Sequence, residues 1–241
     1  MMSLWQYAAS SIVLMLGGAL IAALMTRKPG RLIMQDLLSL SGAFLFGVLI
    51  LELMPDIFHE EGHSVAILFI AGFFLQTGMD YWTSGIEHGH LHVPPTAGKT
   101  FVFSLFIGLG LHAILDGLPF AGIDFHGHQH GSIYLAVLLH KLVEGFTLFI
   151  LLGMLGYTTR VTWLHVSLFS FITPLGMVLF SSIPFLLDHY HQVLAFAGGS
   201  LLHVAVTILF ESEHKHHHGM PVRKLISILI GLLMAGLTVM G

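Results

Sequence analysis

Cysteine is absent from the chain, which excludes disulfide staples and thiolate metal sites alike. Charge is nearly as scarce. Asp, Glu, Lys and Arg make up 9% of the 241 residues, where a soluble domain carries about a quarter. So few charges cannot solvate a globular surface. Nor is there a basic patch: nine Lys and Arg are scattered along a chain of net charge −4, which leaves no footprint for a nucleic acid. No basic residue precedes the first apolar run, Leu4 to about Met25, and that run is longer than the core of a cleaved signal peptide.

What is present is hydrophobic. Apolar residues make up 55% of the chain and the mean hydropathy is +0.86. They fall in runs long enough for helices to cross ~30 Å of hydrocarbon, and backbone groups in lipid must be paired within the segment. The sequence therefore predicts an all-α polytopic membrane protein, one domain over residues 1–241. Its eight spans run over about 4–25, 32–54, 65–83, 101–123, 132–156, 163–187, 193–210 and 222–240. Pro119 in the fourth span, and Pro174 and Pro184 in the sixth, are expected to kink their helices.

The basic residues orient the chain. Arg27, Lys28 and Arg31 lie in loop one, Lys99 in loop three, Arg160 in loop five, and Lys215, Arg223 and Lys224 in loop seven. Loops two, four and six have none, so the positive-inside rule makes the odd loops cytoplasmic and leaves both termini outside. The ninth basic residue, Lys141, falls within the fifth span.

It has company there. The fourth span carries His112 and Asp116 in GLHAILDGLP, and the fifth repeats the pattern as LLHKLVEGFT, with His140 and Glu144. A charge at mid-membrane costs ~2.5–3.5 kcal/mol even on the mildest scales. Spacing of i and i+4 puts each imidazole and its carboxylate on one helix face. If the two faces meet, they make a two-nitrogen, two-carboxylate set suited to Zn²⁺, with Fe²⁺, Mn²⁺ and Cd²⁺ as competitors. Polar glue between helices explains one such pair; the duplication favours metal or proton handling. Gly117 and Gly145 leave room for close helix approach, and Pro119 is expected to free carbonyls that could face a pathway.

Further polar residues add candidates. Glu52 and Asp56 flank Pro55 at the outer end of the second span, Asp80 lies at the inner end of the third, and His203 is near the middle of the seventh. Glu52, Asp80 and His203 are candidate pathway residues, although ordinary helix-end placement accounts for the acidic ones equally well. Much of the store of eighteen histidines sits in three loop regions, 85–99, 124–131 and 211–221. His88, His90 and His92, then His126, His128 and His130, then His214, His216, His217 and His218 form weak metal-collecting loops on both faces, or else merely soluble ones. His165, near the inner end of the sixth span, reads as a satisfied interfacial histidine.

These features resemble the ZIP (Zrt-, Irt-like) family of divalent metal transporters. HAILDG followed by HKLVEG carries the resemblance most specifically, supported by LELMPD (Leu51–Asp56), by FAGGSLLHVAVTILFESE (Phe196–Glu213) and by the His-rich loop after the third span. The resemblance implies a single transporter domain with a 3+2+3 helix arrangement, the first and last three helices related by a pseudo-two-fold axis. It also implies metal moving into the cytoplasm by alternating access, with His112, Asp116, His140 and Glu144 as the transport site. Binuclear members of the family place an Asn after the fourth-span His and a carboxylate after the fifth-span ligand; this chain has Ala113 and Lys141. Lys141 is thus expected to replace the second ion by pairing with Asp116 or Glu144, or to take part in coupling, and one metal rather than two is expected.

The leading expectation is a metal-ion transporter, zinc first, and not an enzyme: the H-E-x-x-H string of metalloproteases does occur at His59–His63, but in the loop between the second and third spans, and the His clusters fall in loops on both faces, where a desaturase needs its His boxes near one. A proton-coupled transporter of another solute, using the His/carboxylate pairs as a relay, and a membrane-embedded metalloenzyme are the alternatives. Lipid and divalent ions are the expected partners, with no organic cofactor and a homodimer left open. The short chain suits a bacterial inner membrane.

Overall fold

The computed structural model describes residues 3–25, 31–60, 63–83, 99–120, 131–210 and 221–240. Among them there is no strand, and eight helical segments are long and apolar enough to cross a membrane. The loop histidines singled out from the sequence, His88 to His92, His126 to His130 and His214 to His218, lie outside the described residues.

The first span is the helix Leu4–Leu24. It starts at a capping box: the Ser3 amide donates to Gln6 Oε1 at 2.7 Å, and the Gln6 amide donates back to Ser3 Oγ at 3.4 Å. The second span runs beyond its expected end. Helix Arg31–Val48 widens into a π turn over Leu49–Leu53 and continues as Met54–Glu60. Pro55 has no N–H to return to the carbonyl of Leu51, and the wider turn absorbs that loss without ending the helix. The third span is His63–Thr83 and the fifth is Gly131–Met154, while the seventh is Tyr190–Phe210 and the eighth Val222–Met240.

The proline-bearing spans depart from expectation in two ways. Pro174 does break the sixth span: helices Thr159–Phe169 and Ile172–Ser181 meet at Ser170, the residue whose carbonyl Pro174 would have paired. Pro184 produces no kink. The span ends at Ser181, and Pro184 opens a separate short helix, Pro184–Asp188, at the helix position where a missing N–H costs nothing. Pro119 likewise kinks no α-helix. The fourth span's α-helix, Lys99–Leu115, stops one turn earlier, and Leu118–Phe120 form a 3₁₀ turn.

Packing pairs the spans across the sequence. The first lies along the fifth, the second along the eighth, the third along the seventh and the fourth along the sixth, and the second and seventh also meet. Glycine permits the tightest of these contacts. A methyl group at Gly18 would sit 1.8 Å from the Leu142 carbonyl oxygen, and one at Gly145 would sit 2.0 Å from that of Met15, so the first and fifth spans interlock backbone to backbone. Without water to drive apolar association in lipid, such close contact supplies the attraction. The fifth and seventh spans are the most enclosed, and the eighth the least.

Gly17 offers an internal control, since nothing lies within 4 Å of a methyl group placed there. Gly18→Leu should lower the melting temperature of the detergent-solubilised protein by several degrees, the consequence of overpacking at ~1–3 kcal/mol, while Gly17→Leu leaves it unchanged. Equal shifts in both would contradict the interlock.

Candidate metal centre

The fourth span delivers His112 and Asp116 at the point where its helix gives way. The Asp116 amide still donates to the His112 carbonyl at 3.0 Å, which keeps the two side chains on one face, and then the Gly117 amide turns back to Ile114 at 2.9 Å. A methyl group at Gly117 would stand 2.5 Å from the Met177 amide nitrogen. Both motif glycines therefore press on flanking spans, Gly117 on the sixth and Gly145 on the first, and not on each other. Pro119's own carbonyl accepts a hydrogen bond from the Tyr190 hydroxyl at 3.0 Å.

From the fifth span come His140, Lys141 and Glu144. Donor atoms of His112, Asp116 and His140 all lie within 4.8 Å of one another, and the three residues are fully buried. His112 Nε2 is 3.4 Å from Asp116 Oδ2, which is about the spacing of two ligands bound to one tetrahedral ion at ~2.0–2.2 Å. The two imidazole rings stand edge to face, 5.7 Å apart.

Glu144 shares the cavity beside His112 and His140 but is not part of that tight group. One of its oxygens is held by Lys141, and Oε1 has no hydrogen-bond partner. Lys141 Nζ also lies 2.5 Å from Asp116 Oδ2, so one buried ammonium bridges the two carboxylates. Two carboxylates and one ammonium leave a single net negative charge, which favours entry of a cation.

The surroundings differ on the two sides. Toward the start of the fourth span and the end of the fifth, the cavity continues past Thr147 to Leu109, Leu151 and Phe169. Thr147, one turn beyond Glu144 on the same face, was not singled out from the sequence; the i+3 spacing was the available signal. In the opposite direction the path is filled. Phe120 stacks on Tyr134 with ring centroids 5.0 Å apart, and Tyr7 lies 5.4 Å from Phe120 and 5.2 Å from Tyr134. Tyr190, whose hydroxyl is 3.4 Å from that of Tyr134, ties this plug to the seventh span.

The other candidates lie apart from the cluster. Glu52, on the π turn, accepts hydrogen bonds from Ser132 near the far side of the aromatic plug. Asp80 and His203 are 3.6 Å from each other, on the third and seventh spans. His165 is held within its own helix by a 2.7 Å contact of Nδ1 with the Val161 carbonyl.

No curated protein matches the chain. The family model described as ZIP zinc transporter matches residues 83–239, from the end of the third span through the eighth. That stretch holds both H-x-x-x-[DE]-G motifs and is well over half of the sequence; the chain belongs to the ZIP zinc transporter family.

Proposed function

We propose that the protein carries a divalent metal, zinc first, across the membrane into the cytoplasm through a single-metal site between the fourth and fifth spans. Membership of the family supplies divalent metal transport. The observation that carries the finer reading is the buried His112–Asp116–His140 group, whose donor atoms lie within 4.8 Å of one another. Two imidazoles with one carboxylate, and Glu144 within reach as a second, suit Zn²⁺ and admit Fe²⁺, Mn²⁺ or Cd²⁺. Lys141 already neutralises one carboxylate charge from the place a second ion would take, so one dication fills the site.

The packing supports the 3+2+3 arrangement. Exchange the first span for the sixth, the second for the seventh, the third for the eighth and the fourth for the fifth. The first–fifth contact then becomes sixth–fourth and the second–eighth becomes seventh–third, while second–seventh maps onto itself, and all of these contacts occur. With the odd loops cytoplasmic by their basic residues, the cavity beyond Thr147 opens inward and the plug of Tyr7, Phe120 and Tyr134 closes the outer side. That asymmetry is what one state of an alternating-access carrier requires. Glu52 stands on the outer side of the plug, where an arriving cation meets a carboxylate.

Proteoliposomes holding a metal-sensitive dye test the reading. Zn²⁺ or Cd²⁺ should enter with the intact protein, and the paired substitution His112→Ala/His140→Ala should reduce the rate at least tenfold while the protein still reconstitutes. Entry at the full rate in that variant, or none with the intact protein, would sink the proposal. The lysine has its own test. Lys141→Glu restores a carboxylate where Lys141 stands, and should raise metal content by one ion per chain in elemental analysis against the intact protein. An unchanged metal content would mean that the lysine is not what holds the site to one ion.

A further inference from the structure

The repeat that places His112 and His140 reaches further than the ligands. Phe106 precedes His112 by six residues and Tyr134 precedes His140 by six, so the two rings hold the same register in the fourth and fifth spans. Tyr134 belongs to the outer plug. Phe106 belongs to a second group of rings on the other side of the central cluster. The His165 imidazole touches two of them, its centroid 5.5 Å from that of Phe106 and 5.3 Å from that of Tyr157. The contact of its Nδ1 with the Val161 carbonyl, at 2.7 Å, fixes the ring in place.

The two trios come from corresponding spans. Tyr7 stands near the start of the first span, Tyr134 near the start of the fifth, and Phe120 just past the fourth span's α-helix. His165 stands on the sixth span, Phe106 in the first half of the fourth, and Tyr157 just past the end of the fifth. Exchanging the first span for the sixth and the fourth for the fifth therefore carries the spans of one trio onto those of the other. The trios differ in closure. Each outer ring touches the other two, and all three are buried. Among the described residues, Phe106 and Tyr157 each touch His165 but make no ring contact with each other, and all three are only half-buried.

The second trio borders the way out of the central cavity. Leu109, Leu151 and Phe169 line the cavity beyond Thr147. Phe106 and Tyr157 pack against the cluster to which those three belong, and the Phe106 ring is 6.4 Å from that of Phe169. A constriction of apolar rings stops a hydrated ion because it does not wet. Where two halves are inverted repeats, rocking one against the other gives each face in turn the shape of its opposite. We propose that Phe106, Tyr157 and His165 are the inner gate of the transport path, parted in this structure and closed, with Phe106 against Tyr157, when the outer plug opens. The inference rests on the alternating-access reading above and adds the residues that close the cytoplasmic side.

The chain has no cysteine, so an introduced pair reports on itself alone. Phe106→Cys/Tyr157→Cys should carry Zn²⁺ into proteoliposomes while reduced. With an oxidant present during turnover the pair should cross-link, entry should fall at least tenfold, and a reductant should restore it. No cross-link during sustained entry, or a complete cross-link with entry at the full rate, overturns the gate and leaves the transport reading standing. A second variant, Phe106→Ala, tests the same closure without a cross-link. Unlabelled Zn²⁺ inside the vesicles should drive a transient overshoot of labelled Zn²⁺ through the intact protein, whereas the variant should admit Zn²⁺ down its gradient and lose the overshoot. An overshoot unchanged in the variant overturns the gate; none in the intact protein overturns the alternating-access reading beneath it.

Discussion

Lys141 places its ammonium between Asp116 and Glu144 at a depth where either carboxylate left bare would be strongly destabilising. The bridge spans two helices, since Asp116 comes from the fourth span and Glu144 from the fifth. It therefore fixes the register in which His112 and His140 meet. With two carboxylates and one ammonium, the cluster keeps one net negative charge, which favours a cation. The placing of the two imidazoles and the register of the two helices both rest on this one contact, and so does the single-metal reading proposed above.

The rest of the fold holds the fourth and fifth spans to that register. Backbone-to-backbone contact at Gly18 and Gly145 sets the first span against the fifth, and contact at Gly117 sets the sixth against the fourth. The aromatic plug adds a lateral tie, for the Tyr190 hydroxyl joins the seventh span to the Pro119 carbonyl just beyond Asp116. The alternating-access reading proposed above needs a rigid site and a barrier that can move. Here the rigidity comes from small residues within helix pairs, and the barrier on one side comes from large rings contributed by different spans.

Much of this was legible in the sequence because the membrane simplifies the physics. Length and hydropathy mark each span, and an H-x-x-x-[DE]-G repeat is conspicuous in an apolar run. Span boundaries were less so. The second span outlasts Pro55 because a π turn absorbs the missing hydrogen bond, and the sixth stops short of Pro184; both outcomes depend on local backbone accommodation that hydropathy does not encode. The hydrogen bond from Tyr190 to the Pro119 carbonyl joins residues 71 apart along the chain, which no local pattern announces. Asp80 and His203 were each visible as odd residues, but their pairing depends on how the third and seventh spans pack.

X-ray absorption at the zinc edge, on protein loaded with one equivalent of Zn²⁺, addresses the central claim most directly. Two imidazoles and at least one carboxylate oxygen should surround the zinc, with no metal–metal scattering at the ~3.5–4 Å typical of paired ions. A metal–metal vector at that distance, or a first shell without two imidazoles, would contradict a single ion held by His112, Asp116 and His140.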